Sequence, residues 1–209
     1  MLFRSFITLE GVEGCGKTTQ MTLLRDRLET EGRRVLLTRE PGGTPIAEAI
    51  RDILLDPANT ALSPVAELLL YEAARAQHVA ERIRPALDEG AIVICDRFAD
   101  STTAYQGAGR VLPGDAVRNL HRLATGAVWP DLTIVLDLPP EEGLKRAAAA
   151  RTRDRIEREP LEFHQRVRRE FLRIAESEPE RVKVVDAAQT PEAVAAAIYG
   201  LVRKVLKQP

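Results

Sequence analysis

The 209-residue chain has only two cysteines, Cys15 and Cys95, too few for a disulfide framework and without the spacing of a metal site. Its three histidines, His78, His121 and His164, form no triad and no ligand set by spacing, and none is assigned chemistry. Neither sign of charge dominates: 30 Lys plus Arg stand against 31 Asp plus Glu, a net charge of −1, which removes the case for general nucleic-acid binding. The longest apolar run, Val65 to Tyr71, is broken by Glu67 and far too short to span a bilayer. The first residues carry one arginine and no cleavable-signal pattern, so a cytoplasmic location and no membrane partner are expected. Internal repeats and low-complexity linkers are missing too. A chain of this length buries one sizeable core, so residues 1–209 are expected to form a single domain.

What the chain does have is Gly11-Val12-Glu13-Gly14-Cys15-Gly16-Lys17-Thr18-Thr19, a full match to the phosphate-binding pattern G-x-x-x-x-G-K-[ST]. A short apolar strand, Phe6 to Leu9, precedes it, and a helical pattern through Leu23, Leu24 and Leu28 follows it. Strand, glycine loop and helix come in the order that lets backbone N–H groups and a helix N-terminus surround phosphates. The stretch Gly11 to Thr19 is therefore expected to bind ATP. Lys17 would reach the β- and γ-phosphates, and the Thr18 hydroxyl would ligate Mg²⁺. Cys15 reads as a small loop-filling residue, with a thiol activated by the local potential as the alternative.

Further strands are expected at Val35–Thr38, Ile92–Cys95, Leu132–Leu136 and Val182–Val185. Most are continuously apolar, as strands of a parallel sheet covered on both faces are. Helical patterns separate them at about Ile46–Leu55, Pro64–Glu89, Pro113–Thr125, Pro140–Ala150, Pro160–Ser177 and Pro191–Leu206, several opening with a proline in the first turn. The fold class is thus α/β, a doubly wound five-stranded parallel sheet of the P-loop NTPase type flanked by helices. Ligands in such folds bind outside the carboxyl ends of the strands.

Those ends carry charge. After strand two comes Thr38-Arg39-Glu40-Pro41-Gly42-Gly43-Thr44, and after strand three Asp96-Arg97-Phe98. Asp96 reads as a second Mg²⁺ anchor and Arg97 as a phosphate clamp, or the two form an ordinary surface pair. Arg151, Arg153 and Arg155 alternate on a polar connector at about 150–160, which reads as a lid closing over the nucleotide, or as a solvated charge run. Tyr71 and Arg75 are four residues apart and share a helix face, able to grip a flat base, although a core tyrosine beside a solvated arginine fits the same spacing.

The guanine-reading N-K-x-D segment and the D-x-x-G switch of signalling GTPases are missing, and a small phosphate-loop chain with an arginine-rich lid points to a nucleotide or nucleoside kinase. From Phe6 to the last helix the sequence resembles the thymidylate kinase family. The motifs that carry the resemblance are Glu10 to Thr19, Thr38 to Thr44, Asp96-Arg97-Phe98, Ala104-Tyr105-Gln106-Gly107 and Asp154-Arg155-Ile156-Glu157. The phosphate loop holds Glu13-Gly14-Cys15 where some relatives carry an arginine, which is similar to the bacterial pattern in which the lid supplies the positive charge.

The resemblance implies phosphorylation of dTMP to dTDP by ATP with Mg²⁺, the metal held by Thr18 and Asp96. It implies Glu13 at the sugar 3′-hydroxyl, Tyr71 stacked on thymine and Arg75 on the pyrimidine carbonyl. Arg51 and Arg97 would hold the dTMP phosphate, and Tyr105 would border the 2′ position. Glu40, Thr102 and Gln106 complete the expected acceptor site, while Lys17, Arg97, Arg151, Arg153 and Arg155 are the expected catalytic groups. A homodimer packed through the Pro64–Glu89 helix is also implied. Two rivals stay open at this stage: a kinase for another nucleoside monophosphate or a deoxynucleoside, and a nucleotide-binding regulator without turnover.

Overall fold

The computed structural model describes residues 5–126, 128–150 and 154–206. Among these, strands β1 (Ser5–Glu10), β2 (Val35–Arg39), β3 (Ile92–Asp96), β4 (Leu132–Asp137) and β5 (Val182–Asp186) form one parallel sheet in the order β2-β3-β1-β4-β5. Each lies on a run expected from the sequence. Every residue of β1 is buried, because successive side chains enter opposite cores. Ile7 and Leu9 pack with Leu24 and Leu28 of α1 (Lys17–Thr30) and Ile198 and Val202 of α9 (Pro191–Leu206), whereas Phe6 packs with Val79, Ile83 and Val93. Phe163, Val167 and Phe171 of α8 (Leu161–Ser177) cover Val135 of β4. Among the described residues no helix is long and apolar enough to cross a membrane.

The prolines stand where the missing N–H costs nothing. Thr44 caps α2 (Pro45–Leu55) and Ser63 caps α3 (Pro64–His78), each hydroxyl accepting from the N–H three residues on. The single helix expected over Pro64–Glu89 needs correction: α3 passes through a π-helical turn at Val79–Ile83 into α4 (Arg84–Asp88). Pro85 supplies the reason, since it has no N–H to give and its ring crowds the carbonyl four residues back. A second difference lies beyond β3, where no helix was expected. There α5 (Ala99–Thr102) runs into a π-helical segment, Thr103–Gly109, before α6 (Gly114–Thr125). Threonines and glycines, poor helix formers, hide this element from a propensity reading.

The register aligns the carboxyl ends of three strands: Asp96 pairs with Leu9 on one side and Arg39 on the other. Glu40 N–H then donates to the Asp96 carbonyl and Arg97 N–H to that of Leu9, so Glu40, Arg97 and the phosphate loop leave the sheet side by side. The loop is also seated on α7 (Pro140–Ala150). A Cβ on Gly14 would lie 2.1 Å from the Gly143 carbonyl oxygen, and one on Gly143 would lie 2.2 Å from that of Glu13. Backbone meets backbone at both positions. Gly143→Ala should therefore displace the loop, lowering stability by roughly 1–3 kcal/mol and weakening ATP binding. Denaturant unfolding and ATP titration check both, and a variant unchanged in each would show that the contact does not seat the loop.

Candidate active site

One cavity of about 620 Å³ opens at the aligned strand ends. Its floor is the phosphate loop and the start of α1, with Glu13, Gly14, Gly16, Lys17, Thr18 and Thr19 on the lining. Gly16 takes a left-handed conformation (φ 94°) as the chain turns into α1, a geometry glycine adopts without strain. The Lys17 ammonium donates to the carbonyls of Gly11 and Val12 at 3.2 and 3.1 Å. Gly11, Val12 and Cys15 lie behind this surface and shape the turn: a Cβ at Gly11 would strike the Leu136 carbonyl oxygen at 2.5 Å. Both cysteines are buried.

Opposite the loop, the cavity is lined by Glu40 after β2, Arg51 on α2, Tyr71 and Arg75 on α3, Asp96 and Arg97 at β3, and Thr102, Tyr105 and Gln106 on α5 and the π-helical segment. The sequence expectations converge on one place. Burial and the neighbouring Arg39 guanidinium push the Arg51 guanidinium below its usual value, a local excess of positive charge that an anionic ligand would relieve. Arg97 has φ 69°, uncommon for a residue with a side chain, and is fixed from several directions. Its guanidinium donates to the Gly11 carbonyl (3.0 Å), Ser101 Oγ (3.1 Å) and Glu13 Oε1 (3.1 Å).

Glu13 also accepts from the Tyr105 hydroxyl at 2.5 Å and meets His164 Nδ1 at 3.2 Å. Burial raises its affinity for a proton, yet His164 and Arg97 together hold the carboxyl well below the usual range. Glu10 goes the other way. Burial, with Asp100 adding repulsion, pushes it up to about 8 although it accepts from Phe98 N–H and meets Ser101 Oγ. The Asp96 Oδ1 atom is buried without a partner among the described residues. An oxygen so placed on a residue of the cavity lining, which Thr18 also joins, fits a cation better than an empty interior. No cluster of three or more acidic, histidine or cysteine ligands occurs among the described residues, and Mg²⁺ needs none when substrate phosphates complete its shell.

The lid differs from its sequence reading. Arg151 and Arg153 fall outside the described residues. Arg155 is placed, and it does not line the cavity: Nε donates to the Leu54 carbonyl at 2.7 Å and the guanidinium pairs with buried Glu67 at 2.6 Å. The expectation that Arg155 faces the phosphates is corrected accordingly, because a fully buried carboxylate draws the nearest guanidinium. Arg110 and Gln106 share the same Glu67. Several lining residues were missed: Arg146 and Ala147 on α7, Leu55, Ser101, and Ile156. Ile156 lay within a quoted motif; Arg146 gave no signal, being one charge on an alanine-rich helix.

The comparisons agree with this geometry. A family model described as thymidylate kinase matches residues 9–198. A thymidylate kinase of Thermomicrobium roseum is 56% identical over 97% of this chain and 96% of its own length, and one of Geobacter sulfurreducens is 56% identical over 92% and 93%. A crystal structure of thymidylate kinase from Ehrlichia chaffeensis superposes with a TM-score of 0.78 at 36% identity, covering 95% of this chain and 98% of that one.

Glu10 makes the site's fold sensitive to pH. The unfolded chain releases this proton near 4.5 whereas the folded chain keeps it up to about 8, so the contribution is complete at low pH and lost as pH rises through that window. Glu10→Gln, neutral throughout, should gain thermal stability relative to the parent between pH 5 and 9, as read by Tm across a pH series. A constant difference in Tm would show that Glu10 does not titrate there.

Proposed function

This chain belongs to the thymidylate kinase family, it phosphorylates dTMP to dTDP with ATP, and we propose how its own residues do so. The observation that carries the proposal is that the phosphate loop, the Arg51 and Arg97 guanidiniums and the Tyr71–Arg75 face all line one cavity. Donor and acceptor then meet inside a single site. Loop amides and Lys17 bind the ATP phosphates, while Arg51 and Arg97 hold the acceptor phosphate against the repulsion of the donor. The acceptor oxygen is already ionised near neutral pH, so no strong base is required. It attacks the γ-phosphorus as the bond to the β-phosphate oxygen breaks, and ADP leaves. Positioning and charge stabilisation supply the rate.

Glu13, ionised and fixed by three neighbours, accepts from the sugar 3′-hydroxyl, and the Tyr105 ring fills the space beside it. Tyr71 stacks on the base and Arg75 donates to its carbonyl edge. Thr18 and Asp96 would hold Mg²⁺, which when bound would offset the negative charge of the phosphates. Arg151 and Arg153 act at the phosphates, while Arg155 fastens the lid to Glu67. A homodimer is the proposed assembly, supported by the outward face of α3 and the segment after it: Val65, Leu69, Ala73, Ala76 and Ala80 are exposed and uncharged, with Ile46 and Ile53 of α2 exposed nearby in the fold.

Lys17→Ala should lower kcat by roughly 10²-fold or more in a folded protein, since one preorganised positive group is lost from the transferring phosphoryl. Near-normal turnover would overturn the donor assignment. The acceptor assignment is tested by kcat/KM for dTMP and dCMP. Thymine offers Arg75 a carbonyl where cytosine offers an amino group, and a donor left facing a donor should favour dTMP by about tenfold to more than a hundredfold. Arg75→Ala should shrink that ratio mainly by losing dTMP activity. Equal use of both acceptors by the parent protein would move the assignment to another nucleoside monophosphate.

A further inference from the structure

All three histidines are buried, at 0%, 3% and 0% exposure, and each places Nδ1 on a glutamate: His78 on Glu40 at 3.0 Å, His121 on Glu72 at 2.9 Å, His164 on Glu13 at 3.2 Å. Two of these pairs converge on the same side chain. Arg75 Nε donates to Glu40 Oε2 at 2.8 Å, one terminal nitrogen (Nη1) to Glu72 Oε1 at 2.5 Å, and the other (Nη2) to Thr102 Oγ1 at 2.9 Å. The far nitrogens of the rings meet threonine hydroxyls, Thr38 at 2.6 Å and Thr103 at 3.1 Å. A continuous hydrogen-bonded chain, buried but for its half-buried terminal threonines, thus runs Thr38, His78, Glu40, Arg75, Glu72, His121, Thr103, from the end of β2 across α3 to the π-helical segment and α6.

This arrangement leaves unused the geometry that a guanidinium and a carboxylate ordinarily prefer. An arginine beside a glutamate forms a two-pronged pair through parallel N–H groups. Here Glu40 gives Arg75 only Oε2, because Oε1 is taken by His78. Glu72 gives one oxygen, and His121 shares it. Of the five guanidinium N–H groups, three are thereby committed and two remain, one on each terminal nitrogen of a residue that lines the cavity. A carboxylate on each side of Arg75 also offsets its charge, while the guanidinium is held in place without being saturated.

We propose that His78 is a positioning residue for acceptor specificity: by occupying Glu40 Oε1 it holds Glu40 to a single-bond contact with Arg75, which keeps N–H groups of Arg75 free for the carbonyl edge of the pyrimidine. The proposal rests on the reading that Arg75 meets the base. Without the ring N–H, Glu40 is free to turn and close a two-pronged pair with Arg75, withdrawing a donor from the ligand. The loss falls on dTMP, which uses that donor, and not on dCMP, which does not.

The test uses the two amides that each imitate one ring nitrogen. Asparagine places its NH₂ near the Nδ1 position and keeps the donor to the glutamate; glutamine reaches the Nε2 position and keeps only the threonine. His78→Asn should hold the dTMP/dCMP ratio of kcat/KM within about threefold of the parent, whereas His78→Gln should reduce it about tenfold, through a raised KM for dTMP with the KM for ATP unchanged. Equal ratios in the Asn and Gln variants, or a parallel rise in the KM values of ATP and dTMP, would overturn the proposal, since a purely structural histidine predicts either. If the Gln variant does not fold, dTMP binding by the Asn variant decides: binding weakened about tenfold despite the retained donor overturns the proposal. Failure of the underlying reading looks different, because the parent protein would then show no preference for Arg75→Ala to diminish.

Discussion

A carboxylate or guanidinium taken out of water persists only when donors or an opposite charge meet it, and Glu10, Glu13, Glu40, Glu67, Glu72 and Arg75 are all at most 9% exposed. Their pairing ties the acceptor half of the structure together. Glu13 joins the phosphate loop to Arg97, Tyr105 and α8; Glu40 and Glu72 join β2, α3 and α6 through Arg75; Glu67 joins α3 to Arg110 and the lid. The apolar cores set the sheet and its helices, and the ionic groups set the distances across the cavity.

The same compensation prepares the chemistry. Phosphoryl transfer between two anions needs positive groups fixed before the substrates arrive, since reorienting them during the reaction would cost what their attraction returns. Arg97 is fixed by Gly11, Ser101 and Glu13, and its left-handed backbone is held by bonds from β1. Arg75 stays firmly protonated: burial opposes its charge, but the Glu40 and Glu72 carboxylates outweigh that and raise its proton affinity. Arg51, by contrast, is left under-compensated next to Arg39, as suits a group whose partner is a ligand. The lid joins this system through Glu67, one helical turn before Tyr71. Helix α3 and the segment after α7 therefore share a carboxylate.

Local signals were sufficient wherever function depends on contiguous residues. The phosphate loop needs its glycines, Lys17 and Thr18 in one short segment because the backbone itself forms the binding surface, and the structure puts that segment on the floor of the cavity. The strands were legible because burial on both faces demands unbroken apolar runs, and the helix starts because proline and a capping hydroxyl mark them. Less legible was α5 with its π-helical continuation, where threonine and glycine disguise a helical element, and the break after α3, where Pro85 lies inside a sustained helical pattern.

The sequence by itself determined the sheet and the segment that turns from β1 into α1, since each of these follows from neighbours in the chain. Only the tertiary structure decided what the charges do. Arg155, read locally as one of three alternating lid arginines, goes to Glu67 some ninety residues earlier, and His78 and His121, to which no chemistry was assigned, meet carboxylates that flank Arg75. A buried charge is satisfied by whichever opposite group folding brings within about 3 Å, and separation along the chain carries no information about that distance.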